Sequence, residues 1–121
     1  MSRWGEDNFD SDCASDYLTG ILLKLEGSIN ECLSLSKDID IFNFGEARLM
    51  PACELLVTLG KAYPQIVVPF LEDKPIADWR DKYLKVFDEK AGDVMDKDFK
   101  QERRKIIAAT FSDLIGMYNS Y

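Results

Sequence analysis

From Phe99 to Tyr118 the apolar residues recur every three or four positions for five turns, and this helical spacing runs through most of the chain. A polypeptide patterned this way buries its apolar stripes by packing helix on helix. The expected fold class is therefore all-α, a single-domain bundle of about five helices spanning residues 1–121. With 121 residues, 46% of them apolar, the chain is long enough to enclose one core.

Ala14, Leu18, Ile21, Leu22 and Leu25 define the first stripe, with Ser11 or Asp12 as N-cap and Asp16 near the positive helix end. Gly27 interrupts it, and Ser28-Ile29-Asn30-Glu31 has the form of a capping box, so a second short helix is expected from Ile29 to about Leu35. The apolar phase continues through Ile29, Cys32 and Leu33, which leaves one longer helix as the alternative. Lys37 to Gly45 reads as a polar and aromatic connection. Glu46 to about Ala62 suggests a third helix carrying Ala47, Met50, Leu55, Leu56 and Leu59, with Pro51 in its first turns or kinking it. Pro64, Pro69 and Pro75 punctuate the next stretch, whose Ile66-Val67-Val68 run suits a short extended piece. Pro75 then opens a fourth helix with Ile76, Trp79, Tyr83, Val86 and Phe87 on one face. After a loop around Gly92, the last stripe carries Phe99, Ile106, Ile107, Thr110, Phe111, Leu114, Ile115 and Tyr118.

The chain has no histidine, which excludes Ser-His-Asp and Cys-His nucleophiles and zinc sites built on imidazole. Its seven glycines form no phosphate-binding loop. Three acidic clusters remain: Asp10, Asp12 and Asp16; Asp38 and Asp40; and Asp93, Asp96 and Asp98. None follows a calcium-loop pattern, and helix capping or a solvated connection accounts for each better than a metal does. No catalytic residue, metal or cofactor is expected, and the chain reads as a non-enzyme. A cation-dependent hydrolase using one of the Asp clusters is the least favoured alternative.

The charge is unevenly placed. Residues 1–60 hold 11 acids against 4 bases, whereas residues 61–121 hold 11 of each, so the formal −7 belongs to the first half. Such a surface speaks against direct binding of nucleic acid or anionic membrane and for a basic protein partner. The basic run from Lys100 to Lys105 follows nine acids between Glu72 and Asp98 and reads as a solvated helix face with pairs such as Glu102–Lys105. Cys13, Cys32 and Cys53 form no CxxC pair and suit reduced, buried thiols, and the opening Met-Ser-Arg-Trp-Gly-Glu-Asp has no apolar leader. A cytoplasmic location is expected. Trp4, Phe9, Tyr17, Trp79, Phe87 and Phe111 are core candidates, with Trp4 and Phe9 tying down the N-terminal segment.

The opening Trp4-Gly5-x-x-x-Phe9-Asp10-Ser11-Asp12-x-Ala14, followed by Asp16 and an apolar helix, resembles a family of small bacterial domains of unknown function. Their N-termini read W-G-x-x-x-F-[DE]-[NS]-D-x-A. Glu46-Ala47 and Ala52-Cys53-Glu54 resemble that family's mid-chain helix, while Pro51 and the more basic second half depart from it. The resemblance implies an all-α fold. Small acidic bacterial proteins of this kind also resemble immunity proteins, which neutralise a toxin in the cell that makes it. The expected function is accordingly an immunity protein that occludes a basic toxin domain, a nuclease of the contact-dependent growth inhibition type. The expected toxin-binding residues are Asp38, Asp40, Phe42, Phe44 and Glu46, with Asp7, Asp10 and Asp12 as a second cluster. A cytoplasmic protein-binding adaptor or regulator without a toxin partner is the alternative.

Overall fold

The computed structural model describes residues 8–34, 41–93 and 95–119, the side chains of 41, 42 and 93 excepted. Five α-helices follow one another: α1 (Asp12–Ser34), α2 (Met50–Ala62), α3 (Pro64–Leu71), α4 (Ile76–Lys90) and α5 (Lys97–Asn119). A π-helical segment (Ile41–Leu49) leads into α2, a 3-10 turn (Ala91–Asp93) follows α4, and no strand occurs among the described residues.

The helix count agrees with the sequence pattern, but the helices are apportioned differently. α1 runs unbroken through Gly20 and Gly27, so the capping box at Ser28 is not used and the longer-helix alternative holds. Leu18, Leu22, Ile29, Cys32 and Leu33 are all buried along it. Burying that stripe outweighs the roughly 1 kcal/mol that a mid-helix glycine costs. The fifth helix comes from the proline-punctuated stretch. Pro64 occupies the first turn of α3, where no N–H is needed, and Val67, Val68 and Leu71 are buried, so Ile66-Val67-Val68 is helical rather than extended.

The connection before α2 is also helical. Pro51 lies in the first turn of α2, and in a continuous α-helix its ring would collide with the carbonyl of Ala47. The wider π turns of 41–49 relieve that conflict, while Leu49 keeps helical angles (φ −64°, ψ −52°) so that the rod continues into α2.

α5 packs chiefly on α4 and α2, and α1 closes the other side against α2, α3 and the π-helical segment. Tyr83 and Phe87 of α4, Ile107, Phe111 and Leu114 of α5, Leu56 of α2 and Leu22 of α1 meet at the centre, all fully buried. Several expected core residues lie outside it. Tyr17 is 71% exposed, Leu55 49%, Phe99 57% and Ile106 55%, and Ala47 is also exposed. On α5 the sequence mixes two stripes, and only the one through Ile107, Phe111 and Leu114 faces the core. Cys32 and Cys53 are buried free thiols, while Cys13 is exposed on α1. Burial pushes the Cys53 thiol up to about 12.

Candidate functional site

Two regions carry the expected binding residues. The first is the π-helical segment, where Glu46 turns inward. Its side chain is 14% exposed and pairs with Arg103 of α5, whose Nε donates to Oε1 and whose Nη2 donates to Oε2 at 3.2 Å. The Tyr83 hydroxyl of α4 donates to the same Oε2 at 2.8 Å. One carboxylate thus ties together the π-helical segment, α4 and α5. Burial, and then the adjacent Glu46 charge, hold the Tyr83 phenol well above its ordinary range. The hydrogen bond to Glu46 also raises the Arg103 guanidinium. Such a node fixes helix geometry, because its charge is already compensated.

Gly45 makes the node reachable. A Cβ at this position would stand 2.5 Å from the Tyr83 hydroxyl oxygen and 2.7 Å from a ring carbon, so the backbone comes as near the phenol as a glycine allows. Phe44 is half-buried against the core, with the Arg48 guanidinium 5.4 Å from its ring centroid. Its carbonyl accepts a hydrogen bond from the Cys32 thiol at 3.4 Å. Asp38 and Asp40 lie outside the described residues, as does the side chain of Phe42.

The second region is the start of α1. Ser11 is the cap: its Oγ accepts from the Ala14 N–H at 3.1 Å. Phe9 packs edge-on against Tyr63, ring centroids 4.6 Å apart, and its carbonyl accepts from the Ser15 hydroxyl at 3.3 Å. The entry is therefore anchored while its acids stay outside. Asp10, Asp12 and Asp16 are exposed, and Asp12 and Asp16 form no ion pair among the described residues. A shallow recess lined by Asn8, Phe9, Asp10, Tyr63 and Gln65 lies beside them. Asp7 and Trp4 lie outside the described residues.

The two regions are far apart. Asp12 begins α1 and Cys32, which touches Phe44, lies 20 residues further on, about 30 Å at 1.5 Å per residue. They do not form one compact patch. Sequence patterning missed Arg103 and Tyr83 as the partners of Glu46, since they stand 57 and 37 residues away. It also missed the exposure of Tyr17 and Ile21 on α1.

Bases of the second half pair partly with its own acids and partly with acids of the first half. Lys82 pairs with Asp78, Arg80 with Asp81, Arg104 with Asp88 and Lys105 with Glu102, while Lys74 reaches back to Glu26 of α1. The Arg104 hydrogen bonds hold the Asp88 carboxyl below its ordinary value. Asp96 caps α5 by accepting the Phe99 N–H at 2.9 Å. Among the described residues no three Cys, Asp or Glu side chains converge as a metal site, and no helix is long and apolar enough to cross a membrane. No family model matches the chain, and neither a curated protein nor a solved structure shows significant similarity to it. The molecule is an all-α helical bundle whose first helix begins with exposed acids at Asp10, Asp12 and Asp16.

Proposed function

We propose that this chain is an immunity protein, a helical plug that binds a basic toxin domain and blocks its active site. The observation that carries the reading is the partition of charge. Arg80, Lys82, Arg103, Arg104 and Lys105 of α4 and α5 are engaged in ion pairs within the bundle, whereas Asp12 and Asp16 form none among the described residues. Excess negative charge left on an anchored helix start is suited to steering a basic partner into contact.

Asp10 and Asp12 are the leading docking residues in this reading, with Asp7 close to them in sequence. Asp38, Asp40 and Phe42, the first set expected from the sequence, take the subordinate place, with Phe44 and Glu46 as inward supports. A nuclease is the favoured toxin class, because a cleft that binds phosphates is basic.

The test begins with purification of the tagged chain from its native strain and identification of co-purifying proteins. The identified toxin domain is then produced in a sensitive host with and without this chain. Rescue of growth, lost when Asp10 and Asp12 are both changed to Lys, supports the reading. A partner that is not growth-inhibitory, captured stoichiometrically, would replace it with the adaptor alternative.

A further inference from the structure

The outer face of α1 carries three of the large apolar side chains that the bundle leaves exposed: Tyr17 (71%), Leu23 (53%) and Ile21 (36%). Between Tyr17 and Leu23 lies Gly20, where an added Cβ would meet nothing within 4 Å, and the same holds for Gly27. The residues around Gly20 are arranged about it in complementary pairs. Three positions to either side stand Tyr17 and Leu23, four to either side Asp16 and Lys24, and seven to either side Cys13 and Gly27. At about 100° per residue all of these project within roughly 60° of Gly20. Asp16 and Lys24 are opposite charges, and neither forms an ion pair among the described residues.

We infer that the occupant of this face is a second copy of the chain, docked antiparallel with a twofold axis at Gly20. In that arrangement each residue n positions before Gly20 stands level with the residue n positions after it in the other copy. Tyr17 meets Leu23, Asp16 meets Lys24 and Cys13 meets Gly27, each contact occurring twice, as an isologous interface requires. Glycine against glycine lets the two backbones approach closely at the crossing. A parallel pairing would set Asp16 against Asp16 and lose the complementarity. Helices crossing at about 50° diverge beyond residues 13–27, which leaves Asp10 and Asp12 accessible. A contact confined to one helix pair falls below the roughly 1,000 Å² of a stable interface, so the dimer is weak and concentration-dependent. The inference is independent of the toxin reading, since it needs neither Asp10 nor Asp12.

Disulfide trapping of Gly27→Cys at 0.5 mM under mild oxidation tests the register. The expected product is a dimer whose peptide map joins Cys13 of one copy to position 27 of the other. A Cys13–Cys13 link, a 27–27 link or no covalent dimer overturns the proposal and leaves the face to a different partner. Sedimentation velocity of the unmodified chain and of Gly20→Gln gives a second check. The unmodified chain should shift from monomer toward dimer between 10 µM and 1 mM. Gly20→Gln should stay monomeric with an unchanged or higher melting temperature, because the site is open and glutamine favours helix over glycine. Equal self-association of the two proteins, or a monomeric unmodified chain at 1 mM, refutes the twofold contact.

Discussion

Glu46 and Asp12 bear the same charge, come from the same acid-rich half and stand beside helix starts, yet the fold uses them in opposite ways. Glu46 is compensated by Arg103 and Tyr83 and holds three elements together. Asp12 has no ion pair among the described residues and sits next to the cap rather than acting as one. An acid with a fixed cation at hydrogen-bond distance contributes to stability, whereas an acid facing water contributes to encounter with charged partners. The net charge of −7 conceals this division of labour.

Removing Glu46 should have the largest effect. Glu46→Ala leaves the Arg103 guanidinium without its counterion and the buried Tyr83 hydroxyl without its acceptor. The expected loss is about 2–3 kcal/mol in urea unfolding, the order of an unsatisfied buried polar group made worse by an unpaired charge. If Glu46 were instead an exposed interface acid, stability would be unchanged and only partner binding would fall.

A second way to probe the interior is pH. The Cys53 thiol is raised from 9.0 to about 12 by burial, so the folded state retains a proton that the unfolded chain releases. Its contribution is complete below pH 9 and is lost as pH rises toward 12. Linkage gives a slope of about 1.4 kcal/mol per pH unit in that window. Tyr83, raised in the same direction, adds to the loss above pH 10. Comparison of Cys53→Ala with the parent protein from pH 8 to 11 should show a shallower decline in the variant. Parallel curves would mean that Cys53 is not the titrating group.

The same contrast explains what could be read from the sequence. Local pattern reported the five-helix bundle, the buried face of α4 and the Asp96 cap of α5, because each depends on residues within one or two turns. It left the continuity of α1 open, since Gly27 signals a break locally while the apolar phase runs on through Ile29, Cys32 and Leu33, which are buried only against other elements. It missed α3 for a similar reason: Pro64 and Pro69 mark punctuation until Val67, Val68 and Leu71 have a core to enter. At the candidate site, Ser11 and Phe9 were legible as a helix entry. The capture of Glu46 was not, because Arg103 and Tyr83 arrive from α5 and α4 only after the helices pack.

At the start of α1 the effects on stability become small, and their order is informative. Ser11→Ala removes the acceptor for the Ala14 N–H and should cost about 1 kcal/mol, measured as a lower urea midpoint at constant slope. Asp12→Asn keeps a small polar residue in the first turn and loses only its interaction with the helix dipole, about 0.5 kcal/mol. In the proposed reading its main effect falls on association. With Asp10→Asn added, the bundle should remain folded while the association rate with a basic partner falls several-fold. The remaining rate should also depend less on ionic strength, because fewer charges contribute to steering. A dissociation rate that rises instead, with the association rate and its salt dependence unchanged, would place these acids inside a desolvated contact. Asp12 would then act within the complex, as Glu46 acts within the fold, through a short-range pair with a fixed cation.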